Sequence, residues 1–399
     1  MDKTMTTKLI LRKNEEHRLL SGHLWIFSNE IAGIEGEQIK GDIVELYSAG
    51  RQFLGQGFFN PSSLIIFRLL TRARDAITPE FWTERIRSAA DYRSKIMGGQ
   101  KSLRVVFGES DNLPGLIVDK YADVLSVQFL SAGMELNSDA VVAALRRVFN
   151  PAGIIARNDS SLRVLEGLEQ TSGVLWGDVP TELEIEQDGI RFNVHPSAGQ
   201  KTGFFFDQRE NRRALAQYCA GKTLLDVFSY TGSFSMYALK NGAAKAVAVD
   251  SSEQALEAAS CNARLNGVAD RFSAVKADCF DFFSDENEKA SGEKYDIIVL
   301  DPPALVKNKK HLQAGFRAYV KLNAAALSRL SPGGLLATSS CSHHLSPADF
   351  RVMLMQAAGK ARKMVRLVEQ RSQGRDHPVL VSMPETEYLK FAILSTLLS

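Results

Sequence analysis

Up to residue 72 the chain alternates short apolar runs, GDIVELYS, RQFLGQGFF and LIIFRLLT, with the turn signals AG and NPSS. Such runs, punctuated by Gly, Pro and Asn, read as strands, and several in succession predict a small β-barrel or sandwich. The pattern changes at Thr78. TPEFWTERIRSAADYRSKIM carries Phe81, Ile86, Ala89 and Ile96 in a helical stripe, with Thr78 placed to cap it and Pro79 at the first helical position. Two strand-like runs, GLIVDKY and VLSVQFL, follow around a short turn, then a helix over 138–149 and the strand GIIARND. This mixture predicts a small α+β domain ending near residue 180.

Beyond it, ELEIEQDGIRFNVHP holds two alternating runs that meet at Asp188-Gly189, a pair that favours a type I′ hairpin turn. From there KTLLDVFS, AKAVAVD, RFSAVKAD, YDIIVLDPP and GGLLATSSC read as strands. The helices FSMYALKN, SEQALEAASCNARLN and AYVKLNAAALSRL alternate with them. Apolar strands alternating with helices mean a doubly wound, mostly parallel sheet. KMVRLVEQ and YLKFAILSTL are expected to add edge strands, and SDENEKASGEK to be a solvated loop. The fold class is multidomain α/β. A β domain is expected over 1–75, an α+β domain over 76–185 and a Rossmann-like doubly wound domain over 186–399.

Composition narrows the function classes. With 399 residues, 45% hydrophobic and 24% charged, the chain can bury a sizeable core in two or three domains. A formal net charge of +2 gives no global field toward nucleic acid or membrane, so an anionic partner must meet a local basic patch. MDKTMTTKLI lacks the apolar core of a secretory signal, and no apolar run approaches the ~18 residues of a spanning helix. The chain reads as cytoplasmic. Its four cysteines, Cys219, Cys261, Cys279 and Cys341, form no C-x-x-C pair, which argues against a disulfide framework and a structural zinc site; no metal is expected.

In an open α/β sheet, ligands bind at the carboxyl ends of the strands. Here the first strand ends in DVFSYTGSF, and a single glycine, Gly232, opens the next helix. The G-x-G-x-x-G pattern that admits a pyrophosphate is absent. The second strand ends at Asp250, where a carboxylate can accept from a ribose diol. The third ends in KADCF, where Asp278 can meet an adenine amino group, and the fourth in DPP, Asp301 to Pro303. An adenosine site without a phosphate cradle points to S-adenosylmethionine. Taken singly, each Asp could be a helix cap. GQKTG, Gly199 to Gly203, is no phosphate loop, because Gln200 stands where a Walker loop needs Gly.

HPSAGQKTGFFFDQRENR, DVFSYTGSFS, VDSSEQALEAA, DPPALVKNKK, TSSCSHHLS and DHPVLVSMPETEYLK resemble the bacterial 23S ribosomal RNA cytosine-C5 methyltransferases of the RlmI type. The resemblance spans the whole chain. SGHLWIFSNEI and GDIVELYSAGRQFLGQGFFNPSS are similar to that family's PUA domain, an RNA-binding β-barrel, with Leu24 where the family usually carries Pro. The resemblance implies 23S ribosomal RNA as partner and S-adenosylmethionine as cofactor. It implies Lys201, Thr202, Asp226, Phe228, Gly232, Asp250, Ser251, Asp278, Cys279 and Asp301 as the residues around the cofactor.

The resemblance also implies Cys341 as the nucleophile, and chemistry agrees. Cytosine C5 is a poor nucleophile until a thiolate adds to C6. A free thiol is only about 3% thiolate at pH 7, so the site must activate it. Asp301 is expected to hold the cytosine N3/N4 edge. His343 and His344 read as surface residues. Cys219 and Cys261 read as small core hydrophobes, and Cys279 is expected to line the adenine pocket. DPPAL carries no second cysteine after its prolines, so the base that removes the C5 proton is not identified. Lys307, Lys309 and Lys310, and Arg209 with Arg212 and Arg213, are candidate phosphate contacts. For Arg212 and Arg213 solvated surface charge is an alternative reading. Two other functions compete: methylation of an exocyclic amine, which needs no cysteine, and a non-catalytic RNA-binding assembly factor.

Overall fold

The computed structural model describes residues 7–197, 203–283, 293–306 and 308–397. Two compact units result. The first takes in Met1–Ile185, Val194–Phe206 and Arg375–Thr386; the second takes in Glu186–Asn193, Asp207–Gly374 and Glu387–Ser399.

The first unit opens with β1 (Lys8–Leu11), β2 (Trp25–Phe27), β3 (Ile31–Glu35), β4 (Ile43–Tyr47), β5 (Phe53–Phe59) and β6 (Ile65–Thr71). They form one sheet in the order β2-β6-β5-β4-β1-β3, cored by Leu9, Leu11, Leu24, Leu46, Phe59 and Phe67. A second sheet follows from β7 (Leu103–Phe107), β8 (Leu116–Tyr121), β9 (Val124–Phe129), β10 (Gly153–Asn158) and β11 (Thr171–Gly177), in the order β11-β10-β9-β8-β7. Helices Pro79–Met97 and Ser138–Phe149 pack with it. Thr78 occupies the expected N-cap position in extended conformation, but its hydroxyl makes no capping hydrogen bond. Phe58 and Leu70 of the first sheet join Trp82, Ile86 and Val106 in one core cluster.

Arg375–Thr386, a late segment of the chain, completes this unit. Asp376 and His377 are 0% and 2% exposed. The Asp376 carbonyl accepts from Arg93 Nη2 at 2.8 Å, and its Oδ2 accepts from the Arg104 backbone N–H at 3.0 Å. Burial alone would raise the Asp376 carboxyl; facing His377 and the Arg104 N–H outweigh it and hold the group below its ordinary value.

The turn between β12 (Leu183–Gln187) and β13 (Ile190–Val194) has φ +56° at Asp188 and +77° at Gly189, the signature of a type I′ turn. The second unit's sheet comprises β14 (Thr223–Val227), β15 (Lys245–Asp250), β16 (Phe272–Lys276), β17 (Tyr295–Leu300), β18 (Leu330–Ser340), β19 (Val365–Arg371) and β20 (Lys390–Thr396). The order is β16-β15-β14-β17-β18-β20-β19. The first five run parallel, as the strand–helix alternation predicts. One of the two closing strands departs from its expected place. Only β19 is an edge; β20 lies between β18 and β19, antiparallel to both, and Phe391–Leu394 are buried. After β16 the chain returns to the other side of β14, so the topological switch falls between β14 and β17. Among the described residues no helix is long and apolar enough to cross a membrane.

Candidate active site

The loop leaving β14 is held in an uncommon conformation. Phe228 and Tyr230 have φ of +63° and +48°, and Gly232, the N-cap of helix Ser233–Lys240, has +73°. Positive φ at bulky residues costs of order 1–3 kcal/mol and persists only where the surroundings impose it. Here the Ser229 N–H donates to the Val249 carbonyl at 3.1 Å, and the Tyr230 N–H to Asp250 Oδ2 at 2.9 Å. A Cβ on Gly232 would come within 3.0 Å of the Ala259 Cβ, so glycine answers both the backbone and the packing. The loop keeps two buried hydroxyls, Ser229 Oγ and Thr231 Oγ1, without a partner among the described residues. Buried polar atoms without partners are rare, and these fit a polar ligand at the switch point.

Asp250 closes β15, its Oδ2 taken by Tyr230 and its Oδ1 accepting from the Ser252 N–H at 2.9 Å. The carboxylate is thereby fixed at the strand end, with exposed Ser251 beside it. Asp278 is exposed and caps the short helix Cys279–Phe282, its Oδ1 accepting from Phe280 and Asp281. Asp226 is more deeply placed. It is 1% exposed, and its Oδ2 accepts from the N–H and Oγ of Ser235 at 3.1 and 2.7 Å. Burial raises it to about 6. Its carboxylate braces the first turn of the helix behind the loop.

Asp301 ends β17. Its Oδ1 accepts from Ser339 Oγ at 2.8 Å and from Gln208 Nε2 at 2.8 Å. Gln208 is itself oriented by Asn211, whose Nδ2 donates to Gln208 Oε1 at 2.7 Å. Burial raises the Asp301 carboxyl above the ordinary carboxylate range, with the Asp207 charge adding to it. On the neighbouring strand and just past its end, Thr338, Ser339, Ser340 and Ser342 are all 0% exposed, and half-buried Cys341 is the residue that emerges among them. Ser340 and Ser342 are pinned by Tyr319 OH at 3.0 and 3.1 Å, and the Val306 N–H donates to Ser342 Oγ at 3.1 Å. Cys341 thus rides on a fixed backbone one strand away from Asp301.

The other thiols are different. Cys219 and Cys279 are 0% and 3% exposed, and burial pushes each to about 12. Cys279 belongs to the core cluster of the sheet, its Sγ 3.9 Å from the Val249 carbonyl. Cys261 is half-exposed and accepts from Arg264 Nη2 at 2.9 Å, a surface contact in place of the expected core role. His343 and His344 are exposed. Lys390 was not anticipated. It is 5% exposed, and its Nζ donates to the carbonyls of Ser342 and Tyr388 at 2.6 and 2.8 Å. A lone Lys at the head of the apolar run FAIL was its only sequence signal.

The expected phosphate contacts divide. Arg209 is 3% exposed and forks onto Asp188, Nε to Oδ2 at 3.0 Å and Nη2 to Oδ1 at 2.6 Å. Tyr237 OH adds a bond to Asp188 Oδ2 at 2.7 Å, and these partners outweigh burial to keep the carboxylate low. This overturns the phosphate role read for Arg209: its fork closes the hairpin turn onto helix Arg209–Ala216. Arg212 is buried too, against the Phe234 ring, while Arg213, Lys309 and Lys310 are exposed. Lys201, Thr202, Lys307, most of GQKTG and most of SDENEKASGEK lie outside the described residues.

A fixed carboxylate at the end of β15 and partnerless buried hydroxyls at the switch point suit the S-adenosylmethionine-dependent methyltransferase class. Residues 114–382 match the family model of that description, and residues 9–72 match a PUA-like domain. Ribosomal RNA large subunit methyltransferase I of Aeromonas hydrophila is 39% identical over 97% of this chain and 98% of its own. The protein of that name from Photobacterium profundum is 38% identical over the same shares. The chain belongs to this family, and S-adenosylmethionine is its cofactor. A Streptococcus mutans chain described as a SAM-dependent methyltransferase has the same fold, with a TM-score of 0.84 at 24% identity over 97% of this chain and 99% of that one. A methyltransferase solved in complex with SAH has a TM-score of 0.85, also at 24% identity and the same coverage.

Proposed function

We propose that the protein methylates C5 of a cytosine in 23S ribosomal RNA, in the cytoplasm, through a covalent bond between Cys341 and C6. The observation that carries this reading is the placing of Cys341. It is a half-exposed thiol set among fully buried hydroxyls, one strand from the half-buried carboxyl of Asp301. The names of the relatives and the PUA-like domain support ribosomal RNA as substrate.

When bound, the cofactor supplies an electrophilic methyl group. Asp250, the hydroxyls of Ser229 and Thr231, and the backbone around Gly232 hold its adenosine. Asp278 has an oxygen left for the adenine edge beside its capping role. The Cys341 thiolate adds to C6 and the ring electrons move to C5, which would take the methyl group as its bond to the cofactor sulfur breaks and the neutral thioether leaves. Loss of the C5 proton and cleavage of the C6–S bond restore the aromatic ring and return the thiolate. Asp301 holds the N3/N4 edge. Its raised pKa suits it to share a proton with N3 as negative charge builds there. Within a folded RNA the base must be unpaired or flipped to reach the thiol. Lys309 and Lys310 flank the loop after Asp301 and meet the phosphates.

The test is a trap. RNA carrying 5-fluorocytosine at the target is methylated once and then stays bound, because fluorine replaces the proton whose loss frees the enzyme. The adduct survives denaturing electrophoresis, needs S-adenosylmethionine and disappears in Cys341→Ala. An N-methylated purine made at full rate by Cys341→Ala would sink the covalent reading and leave amine methylation at Asp301.

A further inference from the structure

A buried lysine with no carboxylate bonded to it among the described residues is expensive to keep, and Lys390 is one. It opens β20 in register with Ser340 of β18, and its Nζ reaches across to the Ser342 carbonyl at 2.6 Å. Cys341 is the residue between those two contacts. The second bond, to the Tyr388 carbonyl at 2.8 Å, anchors the ammonium from its own strand. Two of three N–H bonds are thus spent on neutral acceptors, which position a cation but do not neutralise it. The rest of the strand, Phe391 to Leu394, is apolar and buried, so packing alone would favour an apolar residue at 390. The anion that would justify a cation here is a thiolate.

Several described charged and titratable groups face this corner. Lys390 feels Cys341 and the exposed Glu387, and Tyr319, from helix Leu312–Ser328, also faces the thiol. His343 sits outside, its ring 5.7 Å from that of Tyr388. Burial lowers Lys390 to about 8, which still leaves it mostly protonated at pH 7.

Building on the covalent reading, we propose that Lys390 is a positioning residue for methyl transfer, its ammonium holding Cys341 as the thiolate that attacks the base. The proton leaves Cys341 for solvent, and the lysine stays charged throughout. The mechanism then has an answer to the problem of the inactive thiol: the charge that stabilises the thiolate is already in place before RNA arrives.

The experiment is the pH profile of Cys341 alkylation by iodoacetamide in the full-length protein, read on the Cys341 peptide by mass spectrometry. Cys261→Ala removes the other accessible thiol; Cys219 and Cys279 are buried. The wild-type midpoint is expected below the ~8.5 of a free thiol. Lys390→Met should raise it by about one pH unit and slow alkylation at pH 7 about threefold, since a more basic thiolate is also more nucleophilic. Lys390→Arg should keep the low midpoint. An unchanged midpoint in folded Lys390→Met overturns the proposal; if that variant does not fold, a wild-type midpoint at or above ~8.5 does so. Alkylation involves neither RNA nor cofactor, so it is separable from the product. If nucleoside analysis gives 5-methylcytosine while the midpoint ignores Lys390, the proposal fails and the function stands. If the midpoint responds but the product is an N-methylated base, both fail.

Discussion

Ser339 Oγ donates to the same oxygen of Asp301, Oδ1, that Gln208 Nε2 addresses, each at 2.8 Å. No described residue donates to Oδ2, so among the described residues one carboxyl oxygen is fixed and the other is open. The two donors come from different elements, β18 and the segment before helix Arg209–Ala216. The carboxyl plane is therefore set before a base arrives.

Ser339→Ala removes one of the two donors while leaving the loop backbone intact. The lost bond is worth about 1–2 kcal/mol, and kcat is expected to fall roughly 5- to 30-fold. Cofactor affinity should hold. Calorimetry showing equally weakened cofactor binding would mean that Ser339 supports the fold rather than Asp301.

Asp250→Ala should weaken S-adenosylmethionine binding by about 1–3 kcal/mol, because ribose hydroxyls lose their acceptor and the Tyr230 N–H is orphaned. Titration calorimetry of the full-length protein reads this directly. An unchanged affinity would take Asp250 out of the site.

Asp226 gives a prediction about stability and pH. Its folded value is about 6 against 3.8 for an ordinary side chain. Between those values the folded chain keeps a proton that the unfolded chain has released, so stability falls as pH rises from 4 to 6 and stays lower above. The full change is roughly 3 kcal/mol. Asp226→Asn keeps an acceptor for Ser235 and should remove this fall. Urea unfolding of both proteins at pH 4.5 and 7.0 is the comparison, and parallel pH dependences would refute it.

Arg209 and the exposed lysines should separate cleanly. Arg209→Met leaves the partly exposed Asp188 with Tyr237 OH and the more distant Arg213, and should cost about 1–3 kcal/mol of stability. Lys309→Ala with Lys310→Ala should leave stability nearly unchanged. That double variant should lower the salt dependence of RNA binding by up to ~0.7–0.9 per lost phosphate contact. A salt slope unmoved by the double variant would make these two lysines ordinary surface charge.

Much of the fold was legible because its signals are local. The strand–helix alternation marks the parallel strands, and Asp188-Gly189 marks its own turn. β11 was not legible, since Thr171–Val174 is exposed and shows no alternation. Asp250, Asp278 and Asp301 were readable as strand-end carboxylates, and Cys341 was singled out by its neighbours in the chain. The misread residues are those whose role depends on distant partners. Arg209 looks like any surface arginine until Asp188, 21 residues away, claims it. Lys390 lies in a strand whose neighbours are set only once β18 and β20 pair.

The contacts of Asp376 also impose a timetable on synthesis. Arg93 and Arg104 emerge early, but the carbonyl and carboxylate that receive them are encoded 283 and 272 residues later. At translation rates of about 5–20 residues per second the delay is on the order of tens of seconds. During that time the amino-terminal half holds a guanidinium in a site built for a partner still being made. Its last cooperative step therefore waits until the ribosome has nearly finished the protein, and any shortened chain that stops before Asp376 leaves that site open.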